Sequence, residues 1–308
     1  MRSFSTARVL LFALGVIVLA SFLPLGVSGY ILGLLTIAYY FGVFAMSWDL
    51  LFGFAGEVNF GPTFLIGTGA YAAGILDNLY QLPIWICLVA GALAAVIGGV
   101  VLALPALRVR GPYFGLTTLV AVLMLQNFIV VAAGLTGGEI GLVVPDVISV
   151  SDTTNYEIAL WFMAISGAIL FSLSRSPVGL ILQASGQDAV QAGALGFNVT
   201  KHKLAAFIIS AFFSGLAGAL MVFYLGTASV GTLVDITVGV QIIIAAVLGG
   251  RRTILGGVLG AVFLIAMSEA LRPLGDLSNF VVFAIALIVV LLFPNGLLGL
   301  LTGTKENL

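Results

Sequence analysis

The chain has 308 residues, of which 61% are hydrophobic and only 7% are charged, and its mean hydropathy is +1.26. A soluble domain ordinarily carries about 25% charged residues, so this composition excludes a water-soluble protein. The formal net charge of −1 argues against a nucleic-acid partner. The single cysteine, Cys87, lies in an apolar run and cannot form a disulfide within the chain.

Ten apolar runs predict membrane helices, since the alternating strands of a membrane barrel are not found. In chain order they cover residues 9–28, 30–51, 62–78, 83–104, 113–134, 157–174, 203–224, 237–249, 254–271 and 278–293. The first run follows Arg2 and Arg8 as in a signal peptide, but no small-residue cleavage site follows it, so we predict a retained helix. The run 237–249 is too short for a full crossing, which predicts half of a broken helix or a re-entrant segment.

The basic residues predict the orientation, because cytoplasmic loops carry the excess of Lys and Arg. With the N-terminus inside, ten of the eleven basic residues fall on the cytoplasmic side: Arg2, Arg8, Arg108, Arg110, Arg175, Lys201, Lys203, Arg251, Arg252 and Lys305. Arg272 falls outside, where Glu269 on the same helix face is its expected partner. The acidic residues Asp77, Glu139, Asp146, Asp152 and Asp235 also fall outside. The predicted fold is an all-α polytopic transmembrane bundle of about eight to ten spans, with cytoplasmic termini and residues 1–308 in a single domain.

Glycines interrupt two apolar regions, residues 53–74 and 247–260. Paired interruptions in the two halves of a membrane protein predict broken helices that line a path, because irregular backbone at that depth has to be buried or face water. Close helix packing also explains the glycines, but packing does not need Glu57 or Asn59. Glu57 is alternatively a loop residue at the cytoplasmic surface. The candidate path residues are Gly56, Glu57, Asn59, Gly61, Gly249 and Gly256.

The run at residues 203–224 carries two stripes of small residues at four-residue spacing. Small residues let helix backbones approach closely, so the stripes predict helix–helix contact and no chemistry. Their members are Ser210, Ser214 and Gly218, and Ala211, Gly215 and Ala219.

Residues 175–202 form a predicted cytoplasmic loop whose central part is neither oily nor strongly charged. Ser176 and Pro177 predict a helix start. A slim, weakly charged helix either enters a groove on another protein or lies at the lipid headgroups, and the pattern alone leaves both open. The candidate docking residues are Gln187, Asp188, Gln191, Gly193, Leu195 and Gly196.

The predicted caps define this short helix. Ser185, with Asp188 three residues later, resembles a capping box for a helix at about residues 186–195. Gly196 suits the left-handed position that follows a helix, and Thr200 is the expected cap of the next span.

Motifs spread along the chain resemble those of one transporter family. The most specific is the run DAVQAGALGFNVTKHKLAAF at residues 188–207. GTGAY at 67–71, RGPYF at 110–114, TGGEIGL at 136–142 and FPNGL at 293–297 follow the same family in the same order. On these motifs the chain resembles the permease subunits of branched-chain amino acid ABC transporters, of the second of the two permease types.

Several positions depart from that family's usual pattern. Glu57, Asn59 and Pro62 stand where the family commonly has Gln, Ser and His. Ile140 replaces a polar residue, and Gln191 replaces an acid. These departures leave the class intact but leave the substrate open, because related permeases carry urea, short amides or other amino acids.

The resemblance implies a permease subunit whose loop 175–202 contains the coupling helix for a cytoplasmic ATPase. The implied partners are a second permease, two ATPase subunits, an extracytoplasmic binding protein and the lipid membrane. The chain lacks the phosphate-binding pattern G-x-x-x-x-G-K-[ST], so ATP is expected to be bound and hydrolysed by the partners. No catalytic residue, cofactor or metal is expected in the chain itself.

Other classes fit less well. A stand-alone secondary transporter ordinarily carries charge at mid-membrane, whereas the acids inside the predicted spans, including Asp49 and Glu269, lie near span ends. A membrane hydrolase needs a nucleophile with a base or a metal, and the single histidine, His202, lies in a loop between two lysines. A sugar permease of the same superfamily is the closest alternative.

Overall fold

The structure is a computed structural model that describes residues 6–107, 112–275, 277–292 and 296–297. Predictions that involve residues 1–5, 108–111, 293–295 and 298–308 lie outside the described residues. They concern the orientation residues Arg2, Arg108, Arg110 and Lys305 and parts of the RGPYF and FPNGL motifs.

The described chain is almost entirely helical, which confirms the all-α class. Its helices are α1 Thr6–Ala20, α2 Gly29–Asp49, α3 Pro62–Tyr80, α4 Ile84–Ala106, α5 Pro112–Val131, α6 Ala133–Thr136, α7 Asp152–Ser174, α8 Pro177–Gln187, α9 Ala189–Ala194, α10 Val199–Leu225, α11 Val230–Leu233, α12 Ile236–Gly249, α13 Gly256–Ala270 and α14 Leu277–Leu292. A π-helical turn, Leu50–Phe54, extends α2. Two short strands, β1 Leu142–Val143 and β2 Thr227–Ala228, pair antiparallel.

Each of the ten predicted apolar runs coincides with a helix. Six helical stretches among the described residues are long and apolar enough to cross a membrane: Gly29–Phe54, Ile84–Ala106, Tyr113–Val131, Asp152–Ser174, Val199–Leu225 and Val230–Gly249. The last of these joins α11 to α12 across a break, as the short run 237–249 predicts. The chain is therefore a polytopic bundle with interrupted helices.

Helix α10 packs against α3 and α4 through its small residues. A methyl group on Gly69 would lie 2.4 Å from the Gly215 carbonyl oxygen, and one on Gly218 would lie 2.5 Å from the Ile66 carbonyl oxygen. Backbones this close leave no room for larger side chains. The predicted contact role of the small stripes is confirmed.

The end of the bundle at which α2 begins is acidic. Asp152 begins α7 beside Gly29, the first residue of α2. Asp77, in the last turn of α3, accepts a hydrogen bond from the backbone N–H of Asp146 over 3.2 Å. The β1–β2 pair packs against α3 close to this end.

The single basic residue predicted for this end has the partner expected for it. The Arg272 guanidinium lies 3.3 Å from the Glu269 carboxylate, three residues earlier. The Tyr30 hydroxyl donates a hydrogen bond to the same carboxylate. The predicted ion pair is confirmed.

Candidate functional site

Residues 55–61, here called the recessed loop, connect α2 to α3 from inside the bundle. The backbone N–H of Phe60 donates to the Thr118 hydroxyl over 3.0 Å. Thr118 is the seventh residue of α5, so the loop meets α5 about 9 Å from that helix's first residue at 1.5 Å per residue. The predicted helix interruption at Gly56–Gly61 is therefore present, and at Phe60 it is recessed from the end of α5.

Asn59 holds the recessed loop together. Its side chain is 1% exposed, and its amide oxygen accepts a hydrogen bond from the Gly61 N–H over 2.8 Å. Its backbone carbonyl accepts from the Trp48 indole N–H over 2.6 Å. Asn59 thus satisfies a backbone donor that the helix break frees.

Two glycines of the recessed loop permit close approach of neighbouring backbone. A Cβ on Gly61 would lie 2.1 Å from the Thr118 carbonyl oxygen. Gly56 has a φ of +73°, which suits glycine, and a Cβ there would lie 2.8 Å from the Gly186 Cα in α8. The recessed loop therefore touches α5 on one side and the predicted docking loop on the other.

Glu57 forms an ion pair and does not stand free in a path. Its carboxylate lies 2.5 Å from the Lys203 ammonium in the first turns of α10, and the two side chains are 17% and 14% exposed. The alternative in which Glu57 is a loop residue at the basic end fits this geometry better than direct contact with a solute.

The second glycine-rich segment, residues 250–255, is a loop between α12 and α13 and is here called the clamped loop. The flanking helices meet at their glycines, because a Cβ on Gly256 would lie 2.4 Å from the Gly249 carbonyl oxygen. Asp49, at the end of α2, is 2% exposed. Its two carboxylate oxygens accept hydrogen bonds from the backbone N–H groups of Arg252 and Ile254, each over 3.0 Å.

The two arginines of the clamped loop are also fixed. Arg252 has a φ of +64° and donates from Nε to the Gly53 carbonyl oxygen over 2.8 Å. The Arg251 guanidinium lies 4.3 Å from the centre of the Phe52 ring, within the range of a cation–π contact. Burial, and then the neighbouring Arg252 charge, lower the pKa of Arg251 from its ordinary value. Both arginines lie at the end of the bundle where α2 ends.

Helices α8 and α9 form a helical hairpin, and its observed caps correct the predicted ones. Ser176 caps α8 as predicted, accepting from the Gly179 N–H. Ser185 is not an N-cap but a buried residue of α8, which runs on to Gln187. The short helix predicted at about 186–195 is α9, but its predicted start is wrong because the chain breaks at Asp188. The Asp188 carboxylate caps α9 by accepting hydrogen bonds from the backbone N–H groups of Val190 and Gln191, each over 2.9 Å.

The C-terminal end of α9 agrees with the sequence, and the start of α10 does not. Gly196 has a φ of +89°, and the Phe197 N–H donates to the Ala192 carbonyl oxygen over 3.3 Å, as in a Schellman motif. The cap of α10 is Asn198, which accepts from the Lys201 N–H over 3.0 Å. The predicted cap, Thr200, already lies inside the helix.

The outer side of the α8–α9 hairpin is open. Val190 and Leu195 are 77% and 75% exposed, and Gln187 and Gln191 are exposed as well. A Cβ on Gly193 would meet no described atom within 4 Å. The inner side of the hairpin packs against the backbone at Phe54, because a Cβ on Gly186 would lie 2.6 Å from the Phe54 carbonyl oxygen. The hairpin thus joins the recessed loop to a free, partly apolar surface.

Sequence reasoning missed three features. It noted Asp49 only as an acid near a span end and not as the clamp of a loop 203 residues away. It also missed the Glu57–Lys203 pair, although both residues were singled out. Thr63 and Tyr71 were not among the candidate site residues, and they are buried side chains whose hydroxyls have no hydrogen-bond partner among the described residues. Among these features only Asp49 had a local sequence signal, which was an acid at the end of an apolar run.

Comparison with known proteins agrees with this architecture. Residues 30–292 match the family described as "Branched-chain amino acid transport system / permease component". The chain belongs to this permease family. It is accordingly a multi-pass integral protein of the plasma membrane.

Two of the relatives cover most of the chain, and a third covers less than half of it. The high-affinity branched-chain amino acid transport system permease protein LivM of Salmonella typhimurium is 26% identical over 96% of this chain and 76% of its own length. LivH of the same organism is 25% identical over 84% of this chain and 91% of its own length. The ribose import permease protein RbsC of Haemophilus influenzae is 28% identical, but over only 43% of each chain.

Proposed function

We propose that the chain is the membrane-spanning permease subunit of an ATP-driven importer and forms the translocation path for branched-chain or chemically related amino acids. The family match supports this proposal, and the observation that carries it is the backbone contact between Gly56 and Gly186. That contact links the helix interruption inside the bundle to the open hairpin outside it. The complete importer contains a second permease, two cytoplasmic ATPase subunits and an extracytoplasmic binding protein.

The α8–α9 hairpin, within loop 175–202, is the surface that docks in an ATPase groove. Its outer face presents Val190 and Leu195 beside small residues and few charges, as a helix that inserts into a groove does. The caps on both ends of α9 hold this face in shape without help from a partner. ATP binds to the partner subunits and acts on this chain through the hairpin.

Movement of the hairpin reaches the path through two direct connections. One is the Gly56–Gly186 backbone contact, and the other is the Glu57–Lys203 ion pair between the recessed loop and α10. Because packed backbones have no free space between them, displacement of α8 displaces the recessed loop. The loop then opens or closes the route between α3 and its neighbours.

The charge distribution supports an inward-facing hairpin. Lys203, Arg251 and Arg252 share one end of the bundle, and Asp77 and Asp152 lie at the other. The excess of Lys and Arg marks the cytoplasmic side. This orientation gives the ATPases access to the hairpin and places the termini in the cytoplasm.

Reconstitution of the five-subunit importer in liposomes tests the function and its coupling. The intact complex is expected to accumulate leucine, isoleucine or valine on addition of ATP, with urea, acetamide and ribose as competing solutes. Gly193→Trp is expected to keep the chain folded, because the chain has no described atom near that Cβ, but to separate ATP hydrolysis from uptake. Gly193→Ala is the matched control, since a methyl group keeps the helix slim.

Gly15→Trp is the control for bulk alone, because a Cβ on this α1 residue also meets no described atom within 4 Å. Normal coupled uptake by Gly193→Trp would show that the α8–α9 hairpin does not dock in an ATPase groove. Accumulation of ribose and not of amino acids would favour the sugar permease that the shorter RbsC match suggests.

Cysteine labelling tests the orientation in a Cys87→Ala background. Lys201→Cys and Arg251→Cys are expected to react only with reagents that reach the cytoplasmic side, and Asp146→Cys only with external reagents. External labelling at position 201 would show that the orientation is the reverse of the one proposed. The hairpin would then not face a cytoplasmic ATPase, and the docking proposal would be wrong.

A further inference from the structure

Two buried hydroxyls on α3 have no hydrogen-bond partner among the described residues. Thr63 is 1% exposed and Tyr71 is 4% exposed. They lie eight residues apart, which places them on one face of the helix about two turns from each other. A buried polar group without a partner is costly, so its presence in a native fold asks for an explanation.

Other threonines of the bundle avoid this cost locally. The hydroxyls of Thr36, Thr68 and Thr117 each donate to the backbone carbonyl four residues earlier, over 2.6–2.9 Å. For Thr63 that carbonyl belongs to Asn59, in the recessed loop, and it accepts from the Trp48 indole instead. The helix interruption therefore leaves the Thr63 hydroxyl available.

The face of α3 that carries these hydroxyls is lined with small residues. Thr63, Gly67, Tyr71 and Gly74 form this face, which we call the α3 seam. A Cβ on Gly239 of α12 would lie 3.6 Å from the Thr63 hydroxyl oxygen, so Thr63 points at α12. At Thr63 the seam therefore faces the second interrupted helix, whereas Gly74 at its other end faces β1 and α10, since a Cβ on Gly74 would lie 3.4 Å from Leu142 and 3.9 Å from Val222.

The wall opposite the seam is apolar apart from one amide. A Cβ on Gly67 would lie 2.5 Å from Val234 and 3.2 Å from Leu125. Val234 lies in the break between α11 and α12, and its carbonyl oxygen accepts a hydrogen bond from the Gln126 side chain over 3.1 Å. Both α3 and α12 are interrupted where they begin. Each pair of elements that meets at the seam therefore includes an interrupted helix.

We propose that Thr63 and Tyr71 are the polar contacts that the transported amino acid meets as it passes along the α3 seam. This inference rests on the proposed function and names the specificity-determining residues within it. A hydroxyl both donates and accepts, so it pairs with an α-carboxylate as well as with an α-ammonium group. Because hydroxyls are neutral, they hold the zwitterion weakly enough to release it.

The surroundings of the seam suit the rest of such a solute. Leu125 and Val234 offer aliphatic surface to a branched side chain, and apolar walls with a few placed polar groups are the usual form of a small-molecule site.

The test uses the reconstituted five-subunit importer with Thr63→Val and Tyr71→Phe, which remove the hydroxyls and keep the shapes. Each variant is expected to lower the initial leucine uptake rate about three- to tenfold, the usual effect of one neutral hydrogen bond to the solute. Thermal unfolding midpoints are expected to stay the same or rise, because no intramolecular hydrogen bond is lost. Ser166→Ala is the matched control, since Ser166 is a buried hydroxyl without a described partner on α7, which packs against α2.

The possible outcomes separate this inference from the proposed function. If the unmodified importer accumulates leucine and both variants match its rate, the seam contacts are wrong and the function stands. If uptake falls only together with the unfolding midpoint, the hydroxyls are structural and the inference fails. If the unmodified importer moves no amino acid, the proposed function fails first and this inference fails with it.

Discussion

The recessed loop and the clamped loop interrupt helices at similar glycines but are stabilised in different ways. In the recessed loop the side chain of Asn59 satisfies a backbone N–H from within the loop itself. In the clamped loop a carboxylate from another helix, Asp49, supplies the acceptors for two backbone N–H groups. The first loop is held mainly by neutral hydrogen bonds, and the second is held by a buried charge.

This difference indicates which interruption moves. A charge-assisted hydrogen bond is about twice as strong as a neutral one, so the clamped loop is the firmer of the two. The recessed loop also touches the α8–α9 hairpin, whereas the clamped loop is tied to the end of α2. We infer that the clamped loop anchors the bundle while the recessed loop responds to the hairpin.

The largest expected effect comes from filling the close contacts that both loops share. Gly61→Leu and Gly256→Leu place side chains against backbone atoms that a Cβ alone would approach to 2.1 Å and 2.4 Å. Overpacking of this kind costs about 1–3 kcal/mol or more, and uptake is expected to fall below detection. Size-exclusion profiles in detergent and leucine uptake measure the two consequences. Gly231→Leu is the control, because a Cβ there meets no described atom within 4 Å.

Parent-level uptake by both glycine variants would show that neither loop needs its close backbone approach. An effect at Gly61 alone would separate the two loops and assign the path to the recessed loop.

The next effect distinguishes the two ways of holding a loop. Asp49→Ala leaves the N–H groups of Arg252 and Ile254 without their acceptors, at about 1–3 kcal/mol for the buried Ile254 N–H and less for the partly buried Arg252 N–H. Asp49→Asn keeps one oxygen and is expected to lose less. The midpoint of thermal unfolding in detergent is expected to fall in the order parent, Asp49→Asn, Asp49→Ala. Equal losses in the two variants would show that the charge, and not the number of acceptors, holds the clamped loop.

Asp49 and Asn59 also show which contacts can be predicted from the sequence and which cannot. Asn59 acts on a residue two positions away, so its role follows from local turn chemistry and was predictable. Asp49 acts on residues more than 200 positions away, and no local pattern announces that partner. All ten predicted apolar runs are helical because a membrane helix satisfies its own backbone and needs no distant information.

The hairpin caps show the same limit on a smaller scale. Ser185 and Asp188 both fit an N-cap by sequence, and the structure uses only Asp188. Helix α8 continues past Ser185 because Gly186 packs against the backbone at Phe54, a contact far away in the chain. Thr63 and Tyr71 were unpredictable for a related reason, since an available hydroxyl depends on which helices surround it.

The smallest expected effect concerns the ion pair that joins the recessed loop to α10. Glu57 and Lys203 keep 17% and 14% of their side-chain surface exposed at the edge of the bundle, and pairs near solvent contribute about 0.2–1 kcal/mol. Glu57→Gln removes the charge, keeps an acceptor for the ammonium group and restores the residue usual in the family that the chain resembles. Leucine uptake is therefore expected to stay within about twofold of the parent rate.

A double-mutant cycle with Lys203→Gln isolates the interaction itself. The coupling energy from the four unfolding midpoints is expected to be small and to shrink as salt rises, because the screening length falls from about 10 Å at 0.1 M to about 3 Å at 1 M. Asp49→Asn is the comparison for salt dependence. Because Asp49 is only 2% exposed, the stability loss in this variant is expected to change little with salt. Should Glu57→Gln abolish uptake in a well-folded chain while Lys203→Gln does not, Glu57 acts on the solute itself. The recessed loop would then hold a charge in the path, and its contrast with the clamped loop would disappear.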